Sequence, residues 1–334
     1  MSKFAYRFPG QAQGSVKVGM GKEICFASEQ AKIVYDFADR QLNWPRSLST
    51  YCFFGPAADL QEKTEISQLA SLTTNVAHLA YREDFVEEDL VEDHRFMVRS
   101  HPDFVTGHSV GIYPALVMAE VIDFATAIKV VQKRAVLMSA ASKNHPGRML
   151  VLLDYANLYK IEQLCLDTGV VIANYNSDSQ IVVSGSRIKM DRFEEKARNN
   201  KMAKRFVPLK TEGGFHSLCM DSAVEPFANF LESIDFFDAK IPVVANTASV
   251  ILTKGEEIKQ ELARQINSPV KWTEIENRLM MEGVTKLIEI GHGRVLTDLI
   301  SKSKMIKTSI LALTAIAFAT LIEEKIRRHR KDGA

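Results

Sequence analysis

FVTGHSVGIYP, residues 104–114, sets a serine between two glycines, with a β-rich run before it and an apolar run after it. Glycines at these two places permit a sharp strand-to-helix turn, because a side chain at either one would crowd the bend. Ser109 is then a nucleophile raised on that turn, or one more polar residue in a glycine-bearing loop. On the first reading the N–H groups that open the following helix have no intrahelical partner, and that of Val110 is the first to meet a developing oxyanion. The pentapeptide alone is too short to choose.

A hydroxyl near neutrality needs a base. Of the eight histidines, His108 adjoins the serine, and a direct neighbour on a sharp turn generally points elsewhere. His78 lies inside an apolar helical pattern, as a core or a surface residue. His216, in VPLKTEGGFHSLCM (207–220), follows a strand and two glycines that leave it room near a ligand. It leads the candidates, against the alternative of a satisfied structural histidine. No spacing singles out an orienting carboxylate, and a backbone carbonyl fixes the tautomer equally well. Arg134 falls inside the apolar helical run VVQKRAVLMSAAS (130–142). Either it shares a wet face with Lys133, or its planar fork is presented to the carboxylate of an acidic acyl group.

Outward from these motifs, short β-rich runs alternate with helical patterns, which predicts an α/β fold with a mostly parallel sheet. Strands are predicted at 4–8, 103–106, 241–247, 284–291 and 307–313, and helices over 22–40, 65–82, 112–119, 121–142, 221–233, 255–267 and 272–282. The middle of the chain reads β-α-β-β-α-β, with strands at 148–154, 170–176, 180–185 and 203–210 and helices over 155–167 and 186–200. That is the order of a ferredoxin-like sandwich. It predicts a small subdomain, 147–205, inserted into a discontinuous domain of 1–146 and 206–334, with a ligand cleft at their boundary. Seven carboxylates in EDFVEEDLVEDH (83–94) predict a solvated helix face or loop.

With 334 residues, 46% of them hydrophobic, the chain buries a core without metal or disulfide help. A net charge of +1 gives no general pull toward nucleic acid. The four cysteines are scattered, as thiols in a reducing compartment are, and the N-terminus lacks the apolar segment of a signal peptide, so a cytoplasmic location is expected. The 14-residue run SILALTAIAFATLI (309–322) is too short to span a membrane and reads as a buried strand or helix. The charged tail after it is expected to fray.

Ten segments, in this order and spacing, carry a resemblance: FPGQ (8–11), TEISQ (64–68), GHSVG (107–111), VIDF (121–124), QKR (132–134), ANYNSDSQIVVSG (173–185), GGFHS (213–217), IPVVANTAS (241–249), RQINSPVKW (264–272) and EIGHGRVLTDLI (289–300). Through them the chain resembles the malonyl-CoA:acyl carrier protein transacylases and, in several places, the free-standing acyltransferases that serve modular polyketide synthases. The resemblance implies an α/β-hydrolase-like core with a ferredoxin-like insertion. It implies transfer of malonyl from malonyl-CoA, through an ester on Ser109, to the phosphopantetheine thiol of an acyl carrier protein, with His216 as general base and acid. It assigns the main-chain carbonyl of Gln265 to orienting His216, and Gln11 and the Val110 N–H to the oxyanion hole. Arg134 then receives the malonyl carboxylate, and Phe215 accompanies malonyl selectivity. No metal and no permanently bound cofactor is implied, and the family is usually monomeric. The carrier protein is acidic in general, so a locally basic docking surface is expected, with Lys201, Lys204, Arg205 and Lys210 as candidates or else as an ordinary solvated face.

Several positions depart from the family pattern. Gln68 is followed by Leu-Ala-Ser, Ile112 stands for a glutamate and Pro114 for a small residue. Arg148 interrupts a glycine-methionine-alanine run, and His292 stands between two glycines where proline is common. The departures at the elbow keep a second expectation open: an acyl-carrier protein thioester hydrolase using the same Ser109–His216 pair with water as acceptor. A catalytically silent carrier-docking protein is the third. Retention of Arg134 favours transfer, because a free carboxylate needs it and a plain acyl chain does not.

Overall fold

The computed structural model describes residues 3–12, 14–83 and 101–300. The acidic run beyond residue 83, the strand expected at 307–313, the apolar run and the basic tail lie outside the described residues. The molecule is a mixed α/β structure built on two sheets.

In the larger sheet, β1 (Lys3–Phe8) runs parallel between β2 (Phe104–Gly107) and β9 (Val284–Glu289). A short β7 (Val243–Val244) continues in parallel beside β2, and β8 (Ile251–Leu252) closes that edge antiparallel. Strand alternation decides what each face buries. Tyr6 and Phe8 enter one core with the helices Glu29–Leu42, Thr64–Glu83 and Phe124–Asn144, whereas Ala5 packs on the opposite face with Trp272, Ile275 and Leu279. The expected strand over 241–247 shrinks to two residues. Pro242 has no N–H to give to a ladder, and the chain turns back at once, Ala245 N donating to Val250 O at 2.9 Å.

Local capping explains the other shifts. The helix expected over 22–40 breaks at Ser28, which is extended and whose Oγ accepts from Ala31 N to start a second helix. Helices Leu48–Phe54 and Ala57–Glu62 lie where none was expected. The long helix starts at Phe124 rather than 121, because Asp123 Oδ1 accepts from Thr126 N at 2.6 Å and fixes the cap there.

The smaller sheet comprises β3 (Gly147–Tyr155), β4 (Val171–Ser177), β5 (Gln180–Ser186) and β6 (Ala203–Pro208), antiparallel throughout, in the order β4-β5-β3-β6. Helices Leu158–Thr168 and Arg187–Asn199 cover one face and enclose Leu150, Leu152, Ile161 and Phe193 in a core of their own. The other face, with Met149, Val151 and Val182, joins the larger core. β4 is tied to the larger unit by Tyr175 N to Val270 O (3.0 Å) and Val270 N to Ala173 O (2.9 Å), which leaves β6 as the unpaired edge. Arg148 does not line the cleft. It braces β3 to the Arg187–Asn199 helix through Asp191 and Glu194, each at 2.8 Å. Among the described residues no helix is long and apolar enough to cross a membrane.

Candidate active site

The chain leaves β2 at Gly107, passes His108 and turns through Ser109–Gly111 into the helix Ile112–Met118. Ser109 sits in the left-handed region at φ 52°, a conformation that costs a non-glycine residue roughly 1–3 kcal/mol. A side chain at Gly107 would overlap the backbone of Gly111, and one at Gly111 would strike the Phe8 carbonyl. Both glycines are therefore steric requirements of the elbow. Pro114 falls in the first turn of the helix, where no intrahelical N–H is needed.

His216 approaches from the Gly213-Gly214 loop, which lies so close to Ser142 and to the Gly185 carbonyl that side chains have no room. Its Nε2 is 2.8 Å from Ser109 Oγ. Its Nδ1 is 2.8 Å from Gln265 O and 3.1 Å from Ser268 O. Carbonyl oxygens only accept, so Nδ1 carries the proton and Nε2 is left free to take one from the serine. Among the described residues no carboxylate takes part. Burial pushes the imidazole down to about 3, with the positive charge of Arg134 acting in the same direction and the two carbonyls opposing.

Arg134 is 1% exposed, so it is not on a wet face. Nη1 donates to Gln68 Oε1 (2.6 Å), and Nη2 donates to Ser109 Oγ (3.2 Å) and Gln265 Oε1 (3.3 Å). Nε has no partner. Burial lowers its pKa, yet a guanidinium stays charged in proteins. Among the described residues no carboxylate pairs with it. Among the described residues this buried cation meets amide and hydroxyl oxygens and the Tyr113 ring, whose centroid lies 5.9 Å from the guanidinium carbon.

These groups open into a cavity of about 160 Å³, walled by Met138, Met149, Val151, Val182, Phe215 and Leu299. Gln11 lines the same cavity, its Nε2 buried and unpartnered. Val110 is the residue after the serine and is buried. Lys210 also reaches the cavity lining, on an exposed side chain 4.0 Å from Glu62. Lys204 and Arg205 are exposed on β6, and Lys201 is exposed in the turn before it. Among the described residues no cluster of three or more His, Cys, Asp or Glu is placed to hold a metal ion.

Two features were not anticipated. Asn246 joins the elbow to Gln265 through its side-chain amide. The helix Thr64–Glu83 presents a polar stripe at three- and four-residue spacing: Gln68 to Arg134, then Ser71 and Asn75 to the Pro9 carbonyl at 3.4 and 2.8 Å. His78 continues it toward the His292 ring, 6.3 Å away between centroids. A polar row recurring inside an otherwise apolar helix is a signal that the sequence does carry. His108 points away from the serine, its Nε2 2.9 Å from Asn176 Oδ1 and its ring against Trp272.

Comparison with known proteins agrees with this geometry. The sequence profile of the acyl transferase domain family matches residues 86–318. The malonyl CoA-acyl carrier protein transacylase of Bacillus subtilis is 38% identical over 332 residues, 97% of this chain and 99% of that protein. The crystal structure of an acyl carrier protein S-malonyltransferase from Vibrio cholerae superposes with a TM-score of 0.80 at 34% identity, over 93% of this chain and 96% of that one. A malonyl-transacylase in complex with a type II PKS acyl-carrier protein superposes with a TM-score of 0.80 at 33% identity, over 93% and 95%. With likeness of this extent in sequence and in fold, the chain belongs to the acyl transferase family, among the malonyl CoA-acyl carrier protein transacylases.

Proposed function

We propose that this protein moves a malonyl group from malonyl-CoA, through an ester on Ser109, to the phosphopantetheine thiol of an acyl carrier protein, in fatty-acid or polyketide synthesis. The observation that supports the reading is the buried Arg134, which has no carboxylate partner among the described residues and stands 3.2 Å from the serine oxygen. A malonyl group brings the missing carboxylate to it as its thioester meets Ser109. A plain acyl chain held for hydrolysis gives the same cation nothing to neutralise.

In the first half-reaction Ser109 Oγ attacks the thioester carbon while His216 Nε2 takes its proton. The oxyanion of the tetrahedral intermediate is received by the Val110 N–H, with Gln11 beside it. The C–S bond breaks, and coenzyme A leaves as a thiol carrying the proton from His216. The carrier thiol then attacks the seryl ester in the reverse sense, so ping-pong kinetics follow. Each oxyanion donor of this kind is worth about 2.7–4 kcal/mol of the barrier. Gln265 orients the imidazole through its carbonyl, and Phe215 closes the cavity around a short acyl group. Lys210, with Lys204 and Arg205 on the β6 edge, offers an acidic carrier a basic approach.

The architectural reading is finer than the sheets alone. Residues 1–146 with 206–334 form a hydrolase-like unit in this account, and 147–205 form a ferredoxin-like insertion. The strand order β4-β5-β3-β6 and the separate core around Leu150 and Phe193 support it.

The experiment is a label chase. The protein is incubated with radiolabelled malonyl-CoA or acetyl-CoA, the protein-bound label is trapped, and a carrier protein is added. Label moving from Ser109 to the carrier is expected, whereas its release as free acid would mean hydrolysis. Arg134→Ala should reduce malonyl labelling by roughly 10- to 150-fold, the equivalent of about 1.5–3 kcal/mol for a charged hydrogen bond, with a far smaller loss for acetyl. Equal losses for the two acyl groups would remove the role given to Arg134.

A further inference from the structure

The left-handed backbone of Ser109 is strained, so its surroundings must hold it there. β7 ends at Val244, two residues short of the place where a ladder partner for the elbow is needed. The side chain of Asn246 takes over. Its Nδ2 donates to Gly107 O at 2.8 Å, and its Oδ1 accepts from Ser109 N at 2.8 Å. These are the two bonds that a residue of a parallel neighbouring strand would make across from His108. A side-chain amide thus replaces a peptide unit where the strand has to bend into the turn.

Asn246 is wholly buried and has its own anchor. Its backbone N–H and that of Thr247 both donate to Glu261 Oε1 at 2.8 Å, and Thr247 Oγ1 donates to Glu261 Oε2 at 2.5 Å. Glu261 lies one helical turn before Gln265 in the helix Gly255–Gln265. That same Gln265 gives its carbonyl to His216, and its Nε2 donates to Asn246 Oδ1 (3.1 Å) and to Ser109 O (3.3 Å). One helix therefore sets the ring of the base and, through Asn246, the backbone on both sides of the nucleophile.

From this network we infer that Asn246, anchored by Glu261, is a positioning residue. It holds the Ser109 turn in its left-handed form, and with it the direction of the Val110 N–H, in register with His216. The inference rests on the reading of Ser109 as the nucleophile of acyl transfer. Neither residue touches the acyl group, so loss of the clamp should lower the rate of attack and leave malonyl binding at Arg134 alone.

The test compares wild type, Asn246→Ala and Glu261→Gln in two assays. One is labelling of Ser109 by a fluorophosphonate, which reports the nucleophile whatever its natural acyl group. The other is malonyl-CoA turnover at varied substrate. Rates are expressed per folded site, from urea denaturation curves and active-site titration. Asn246→Ala should lose on the order of 100-fold in labelling rate and kcat, as a misplaced nucleophile does, with KM within about twofold of wild type. Glu261→Gln, a milder change that keeps one acceptor, should show a smaller loss of the same kind. Should Asn246→Ala fail to fold, Glu261→Gln decides alone. A variant that folds and labels at the wild-type rate per site, or one whose KM rises as steeply as its kcat falls, overturns the inference. Fluorophosphonate labelling of wild type without malonyl turnover would instead remove the substrate reading and leave the clamp standing.

Discussion

Among the described residues two guanidinium groups are almost fully buried, and they lie on opposite sides of the same architecture. Arg7, on β1, has a resident counter-ion: Nη1 is 2.9 Å from Glu276 Oε1, which also accepts from Trp272 Nε1 at 2.8 Å. Arg134, in the cleft, has amide oxygens and a hydroxyl but, among the described residues, no carboxylate. The desolvation cost is paid at both places, and only at Arg7 does the fold return a charge to offset it. Arg7 therefore has an ionic partner in the core, although its Nε and Nη2 have no hydrogen-bond partner among the described residues. Under the proposed function the charge of Arg134 is met by an anion from outside, and the hydroxyl beside it marks where the rest of that molecule reacts.

The contrast breaks most visibly in folding stability. Arg7→Met strands the Glu276 carboxyl in an apolar core and should cost about 3–5 kcal/mol in urea denaturation. Replacing both partners, Arg7→Met with Glu276→Gln, should recover most of that loss, because the glutamine still accepts from Trp272. Arg134→Met should move the same denaturation curve by about 1 kcal/mol or less, since it removes a charge that had no ionic partner. If Arg134→Met unfolds the protein as severely as Arg7→Met, the two sites are alike and the distinction fails. Arg134→Lys sharpens it further. A point charge lacks the planar fork, so the preference for malonyl over acetyl should stay well below wild type, read as the ratio of acylation rates.

How much of this was legible beforehand depends on where each signal lies. The sharp turn at Ser109 was legible in its two glycines, because the steric demand of the bend is local and the residues that satisfy it are adjacent, but the pentapeptide alone did not choose between a nucleophile and a loop serine. His216 was only the leading candidate among eight histidines, since nothing near it in the chain names the serine it meets. The family resemblance joined the two. The group that orients its ring is a main-chain carbonyl, and a carbonyl has no residue signature to read. The Ser28 break escaped because apolar spacing runs through it, while the capping hydroxyl decides where one helix ends. Asn246 was missed for another reason. It lies in a segment read as strand, and its work consists of contacts 139 residues away in sequence. Arg148 stood out as an odd residue in a motif, and its explanation is a brace on the far side of β3 rather than a change in the acyl pocket.

The finest test of the cation in the cleft is electrostatic, and it runs through His216. Burial is the main reason that its imidazole is held down to about 3, and the charge of Arg134 is the next. In the proposed mechanism His216 works as neutral imidazole, so fluorophosphonate labelling of wild type should not fall between pH 8 and pH 5 on account of this residue. A histidine at the ordinary 6.5 would by then have lost about thirtyfold of its neutral form. Arg134→Met removes a positive neighbour, which favours protonation, so the acid limb should move upward while staying below 6.5, because burial remains. A malonyl carboxylate bound at Arg134 neutralises the same charge. The limb for kcat with malonyl-CoA should therefore lie above the limb for fluorophosphonate labelling of the free enzyme. Arg7 is not among the charges that act on His216. A wild-type limb near 6.5, or one unmoved by Arg134→Met, would mean that the guanidinium in the cleft places no uncompensated charge beside the imidazole.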